Sequence, residues 1–294
     1  MYYRRKILLS LIEAAGGSLE KLRLQKLLFL ACQQQGKPSF HFVPYKFGCF
    51  SFQANADLGT MKKMNMLQET ITDWKLHQIS KDQTTVTVDD QQIINVILQQ
   101  FSNIDTDTII KYTYLNFPFY AINSQILQRV LSTDEQRKVA CSKVNKTSPL
   151  LLSIGYEGKS LEQFINVLIK QDIKLLCDVR KNAMSMKYGF SKSTLLNACQ
   201  NVGIAYKHYP DLGIDSAERT ELKTQSDYDA LFLQYKKTVL VRTSEQQKSI
   251  WEDFSKANRA ALMCFEAKPE MCHRTHLLKH LISTFNTAIP SENA

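Results

Sequence analysis

The sequence predicts an α/β protein in two parts: a mostly helical, winged-helix-like domain over residues 1–147 and a parallel-sheet α/β domain over residues 148–294. Two observations predict this division. Up to about residue 132 the apolar residues recur mainly at helical spacing, with one patch of strand-like alternation. From Leu150 onward, short apolar runs alternate with amphipathic segments. A polar stretch, Ser132 to Ser148, lies between them and reads as a linker. A chain of 294 residues that is 44% hydrophobic is long enough for two cores.

In the first part, Ile7, Leu8, Leu11 and Ile12 share one helical face, and Gly16-Gly17 stops that helix. Ser18 is the expected cap of a second helix, whose apolar residues Leu22, Leu27, Leu28, Leu30 and Ala31 run to Gln35 before Gly36-Lys37-Pro38. After an aromatic loop from Phe40 to Phe50, a third helix is expected over Ser51–Asn65, burying Leu58, Met61 and Met64. The period then changes. Trp74, Leu76 and Gln78, the polar turn Ser80 to Gln83 and the alternating Thr84 to Val88 read as a two-stranded hairpin. Three helices followed by a hairpin is winged-helix order. Further helices are expected near Asp90–Phe101, Asp105–Leu115 and Asn123–Ser132.

In the second part, Leu150–Ile154 is a buried strand, Gly155–Gly158 a turn and Ser160–Lys170 a helix. A strand over Ile173–Val179, a loop from Arg180 to Phe190, a helix capped by Ser191 or Ser193 and a strand over Ile204–His208 follow. Helices near Tyr228–Leu240 and Ser244–Ala257 lead to a last strand, Ala260–Phe265, and a terminal helix, Cys272–Thr284. Such alternation implies a mainly parallel sheet covered on both faces.

The net charge is +9, and residues 1–147 carry 18 Lys plus Arg against 12 Asp plus Glu. A basic first half favours a polyanionic partner, DNA or RNA. No apolar run reaches membrane-spanning length and the first residues do not read as a secretory signal, so no membrane partner and a cytoplasmic location are expected. Seven cysteines without a CxxC pair read as reduced thiols. The sequence points to no cofactor and no oligomeric state.

Ligands of parallel α/β sheets bind beyond the carboxyl ends of the strands. Tyr156, Glu157 and Gly158 follow the first strand, Asp178 and Arg180 end the second, and Cys264 and Glu266 end the last, with Cys272, His273 and Arg274 opening the next helix. Charge at the end of an apolar strand must be paired or solvated. Asp178 with Arg180 or Arg274 is therefore either a structural ion pair or part of a site. As a site, Arg180, Arg274 and the helix N-terminus suit phosphate. Asp178 and Glu266 are then candidate general base and acid, or cation ligands, and Cys272 a candidate nucleophile. Cys264, Cys272, His273 and His276 lack the close pairs of a zinc motif, so no metal is expected. In the first half, Gln53, Asn55, Lys62 and Lys63 are placed on a recognition helix, with Lys75, His77 and Lys81 on the hairpin. The alternative is a scaffold for protein contact.

Five blocks carry a resemblance: Ser153-Ile-Gly-Tyr-Glu-Gly-Lys-Ser160, Leu176-Cys-Asp-Val-Arg180, Gly189-Phe-Ser-Lys192, Asp211-Leu-Gly213 and Met263-Cys-Phe-Glu266 through Cys272-His-Arg274. From about Leu150 to Ile282 the chain resembles the DUF488 family. By that resemblance the recurrent positions are Tyr156, Gly158, Asp178, Arg180, Ser185, Phe190, Gly213, Cys264, Glu266, Cys272, His273 and Arg274. Tyr156, Gly158, Arg180, Ser185, His273 and Arg274 are the candidate ligand contacts. Ala183 stands where the family has a proline, and Ile214 where it has a second glycine. The resemblance implies a setting in nucleic-acid modification or phage defence and names no reaction. The first half resembles the winged-helix extension of some DUF488 proteins, and over Leu22–Cys32 and Tyr45–Gly48 the SocA-like Panacea antitoxin domain. The expected function is a nucleic-acid-associated protein whose second domain binds or processes a phosphate-bearing ligand. The alternative is a non-enzymatic, antitoxin-like regulator that binds a protein partner.

Overall fold

A computed structural model describes residues 1–219, 222–285 and 290–293. The chain divides into two compact units, Met1–Lys143 and Val144–Ala294.

The first unit is mainly helical. It begins with α1 (Tyr3–Ala14), β1 (Ser18–Glu20) and α2 (Lys21–Gln34), then a small hairpin of β2 (Val43–Tyr45) and β3 (Gly48–Phe50). Next come α3 (Phe52–Lys63), β4 (Leu67–Glu69), β5 (Asp73–Leu76), α4 (Lys81–Thr84), α5 (Val88–Phe101), α6 (Thr106–Asn116), α7 (Leu127–Val130) and α8 (Thr133–Cys141). Strands β1, β5 and β4 form an antiparallel sheet in that order. The core joins Ile7, Leu8 and Leu11 of α1 to Leu24, Leu27 and Leu28 of α2 and to Leu58 and Met61 of α3.

Several elements differ from the pattern reading, each for a local reason. The hairpin is made by β4 and β5, one strand earlier than the Thr84–Val88 alternation predicts. That alternation is overridden by helix starts: Gln83 Oε1 accepts from Ser80 N at 3.0 Å to open α4, and Thr87 Oγ1 accepts from Asp90 N at 3.3 Å to open α5. Lys81 therefore lies on α4 and not on the hairpin, whereas Lys75 is on β5. Ser18 is in β1 and does not cap α2, because Leu76 N reaches back to Gly17 O and holds this segment in the sheet. Met64 lies past the end of α3 and is exposed. The polar segment after Ser132 contains α8, opened by a Ser132–Glu135 capping box and anchored by buried Val139.

The second unit contains β6 (Leu150–Gly155), α9 (Leu161–Lys170), β7 (Leu175–Asp178), α10 (Lys192–Asn201) and β8 (Ala205–His208). After them come α11 (Gln225–Lys237), α12 (Val239–Arg242), α13 (Ser244–Ala257), β9 (Arg259–Cys264), α14 (His273–Phe285) and β10 (Ser291–Asn293). All pairings are parallel, in the order β10-β6-β9-β7-β8. Leu151, Leu175, Cys177 and Leu262 pack into one core with residues of α11, α13 and α14. Alternation turns Leu152, Ile154 and Leu176, also buried, to the other face. Right-handed crossovers place α9 and α10 on that second face. The chain moves outward from β6 to β8 and returns through β9, so the direction of winding reverses around β9. The crevice beyond the carboxyl ends of β6, β9 and β7 follows from that reversal.

Candidate functional site

The residues expected to converge do so, but they divide between bracing the fold and facing open space. Asp178 is completely buried and Arg180 almost so. The guanidinium grips the carboxylate with two bonds, Nε to Oδ1 at 2.8 Å and Nη2 to Oδ2 at 2.6 Å. Its Nη1 donates to the Tyr156 hydroxyl at 3.0 Å and to Phe190 O at 2.9 Å, while the Tyr206 hydroxyl donates to Asp178 Oδ2 at 2.7 Å. Tyr156 stacks on Phe190 with ring centroids 4.2 Å apart. Every polar arm of this pair is engaged within the protein, so Arg180 is a brace that fixes Tyr156 and the loop after β7.

Arg274 is also fully buried. Its Nε donates to Ser153 Oγ at 2.9 Å and its Nη1 to Glu266 O at 2.7 Å, tying the loop after β9 to β6. Gly155 makes this approach possible, since a Cβ there would lie 1.8 Å from Glu266 O. Gly213 does the same on the far side, where a Cβ would meet Lys181 N at 2.1 Å. Arg180 and Arg274, expected to clamp an anion together, are both buried with these donors engaged inside the protein. Gly158 is in the turn before α9 with open space around it, and Ser185 Oγ accepts from Lys187 N at 3.2 Å within its own loop.

The cation that faces open space is Arg219, in a short helical turn, Ser216–Arg219. No periodic pattern marks that turn in the sequence. Arg219 pairs with Glu266, and its Nη2 donates to His273 Nδ1 at 2.9 Å. Its Nε is buried with no hydrogen-bond partner among the described residues. Arg219, Arg180, Lys181, Asn182, Met184, Ile214, Tyr156, Cys264 and Phe265 line a cavity of about 240 Å³. Arg219 and Phe265 also border a larger hollow of about 630 Å³ lined by Glu157, Tyr228, Phe232 and Lys268. Met184, Met186 and Phe265 expose apolar surface at this edge.

Behind Arg219 lies a buried group of soft donors. Cys264 Sγ is 3.8 Å and Cys272 Sγ 4.0 Å from His273 Nδ1. His273 Nε2 donates to Val179 O at 3.0 Å, which leaves Nδ1 as the lone-pair nitrogen. Cys272 donates to Glu266 Oε2 at 2.9 Å. Burial disfavours ionisation of Cys264, yet the Cys272 thiol, His273 and Arg219 outweigh it and hold this thiol well below the usual range. Burial and the neighbouring Cys264 push Cys272 well above it. Burial also raises the Glu266 carboxyl, with Cys264 adding to the effect and Arg219 opposing it. His276 is not in this group; it packs against Phe232 at 4.4 Å.

In the first unit, Asn55, Lys63, Lys75 and Lys81 are exposed. Gln53 is tied to Asp57, which is buried between Arg4 and Arg5, and Lys62 is paired with Glu69 at 2.8 Å. An apolar cavity of about 340 Å³, bordered by Leu22, Tyr45, Phe47, Phe50, Leu58 and Trp74, opens beside them. Among the described residues no helix is long and apolar enough to cross a membrane.

The family model described as "Domain of unknown function DUF488" matches residues 160–281, which lie within the second unit and include its brace and its Cys-His-Arg helix start. No curated protein matches the chain. A solved structure, that of a selenomethionine-substituted CurJ carbon methyltransferase, aligns at 12% identity over 71% of this chain with a TM-score of 0.15. The aligned part spans only 60% of that methyltransferase chain, and a score this low carries no argument about fold or activity.

Proposed function

We propose that the second unit binds a phosphate-bearing ligand, a nucleotide or a nucleic-acid terminus, at the carboxyl edge of its sheet, and that the basic first unit adds nucleic-acid contact. The observation that carries this reading is Arg219, whose buried Nε has no acceptor among the described residues while the same side chain borders both hollows. An anion arriving there satisfies that donor, and Lys181 on the same wall adds a second positive charge. Phe265, Met184 and Tyr156 offer apolar and aromatic surface against which a base can lie. Asn55, Lys63 and Lys75 are the exposed groups of the first unit that suit a phosphate backbone. The order α1-β1-α2-α3-β4-β5, interrupted by the β2-β3 hairpin between α2 and α3, is close to that of a winged helix, which supports that use.

Titration calorimetry of the full chain with a nucleoside monophosphate and with inorganic phosphate tests the proposal. Arg219→Ala and Lys181→Ala are each expected to weaken nucleotide binding roughly tenfold or more. Phe265→Ala should weaken the nucleotide while sparing inorganic phosphate. Unchanged affinity in both cation variants sinks the reading.

A second reading, a regulator that binds a protein partner through the first unit, is favoured by the apolar cavity beside Phe47, an aromatic side chain 44% exposed. Its mark is a stoichiometric partner that survives nuclease treatment and is lost with Phe47→Asp.

A further inference from the structure

The structure assigns Cys264, Cys272 and His273 to a binding site for a thiophilic divalent cation of the zinc class. The sulfur and nitrogen donor atoms of the first three residues all lie within 4.8 Å of one another, and all three residues are buried. A tetrahedral zinc site places a thiolate and an imidazole nitrogen about 3.6 Å apart, given its usual bond lengths. The two sulfur-to-Nδ1 separations, 3.8 and 4.0 Å, are within a few tenths of an ångström of that edge.

Two further features fit an ion rather than a chance packing of thiols. The ring orientation of His273 is set from outside the cluster, because Nε2 donates to Val179 O and so Nδ1 must present its lone pair inward. Glu266 stands beside these donors, its Oε2 accepting from Cys272 Sγ at 2.9 Å and its Oε1 held by Arg219. Charge also balances. Two thiolates are offset by a divalent ion and the Glu266 carboxylate by the Arg219 guanidinium, in a place where uncompensated charge is costly. Arg219 Nη2 lies 2.9 Å from Nδ1, so entry of the ion requires the guanidinium to swing away from His273. Seven residues separate the two cysteines in sequence; the site forms because the end of β9 and the start of α14 converge in space.

The test uses the full chain purified under reducing conditions, equilibrated with zinc or with cobalt(II) and freed of excess ion. Elemental analysis is expected to find about one zinc per chain, and the cobalt form to show thiolate-to-cobalt charge-transfer absorption. Cys264→Ser and Cys272→Ser should each lose the ion and the absorption, whereas His276→Ala and Cys141→Ser keep both. Zinc retained by both serine variants overturns the assignment. Should those variants not fold, the wild-type cobalt spectrum decides alone, and absence of charge transfer overturns it. No nucleotide enters the measurement, so its outcome is separate from that of the anion-binding test.

Discussion

Arg180 and Arg219 are alike as residues and opposite in use. Arg180 has spent its donors on Asp178, Tyr156 and Phe190 O, whereas Arg219 keeps one buried N–H without an acceptor among the described residues. Truncating Arg180 leaves the Asp178 carboxylate buried without its cation, and removal of one partner of such a pair costs about 3–5 kcal/mol. Arg180→Ala should therefore lower the urea midpoint of the second unit sharply. Arg219→Ala, whose side chain is 26% exposed, should lower it much less. If the two variants unfold alike, the division between brace and ligand group fails. The sequence told that charge gathers at three strand ends. It could not tell which charges were consumed by the fold, because that depends on how deeply each is buried and on a turn, Ser216–Arg219, that has no periodicity to reveal it.

At the scale of elements, what pattern reading caught and missed depends on what drives each segment. Helix α13 spans Ser244–Ala257 as its periodicity predicts, and its buried Ile250 and Phe254 are what make that periodicity strong. Helix α8 has one fully buried apolar residue, Val139, so it reads as linker; its start rests on side-chain bonds to the backbone. Ser132 N donates to Glu135 Oε2 at 2.8 Å, and Glu135 N donates to Ser132 Oγ at 3.4 Å. Loss of such a cap costs about 1 kcal/mol. Ser132→Ala is expected to increase amide exchange across Thr133–Cys141 while leaving α5 and α6 protected, and equal exchange in variant and wild type would show that packing of Val139 alone holds α8. The displaced hairpin has the same origin: two helix starts claim residues 80–90 before a strand can form.

For the whole molecule, βα alternation from Leu150 onward made the parallel sheet legible, together with four of its five strands. The fifth was not. Strand β10 is Ser291–Asn293, three polar residues without an apolar pattern, and it exists because β6 offers unpaired backbone groups along its outer side. Ser291 pairs with Leu151 and Asn293 with Ser153, so this short tail is the outermost strand of the sheet. Next to it β6 is six residues long and buried throughout. Without the tail, β6 becomes a bare, apolar edge, and such an edge recruits strands from other molecules. Deletion of residues 291–293 is therefore expected to promote self-association, read by light scattering as an apparent mass that rises with concentration.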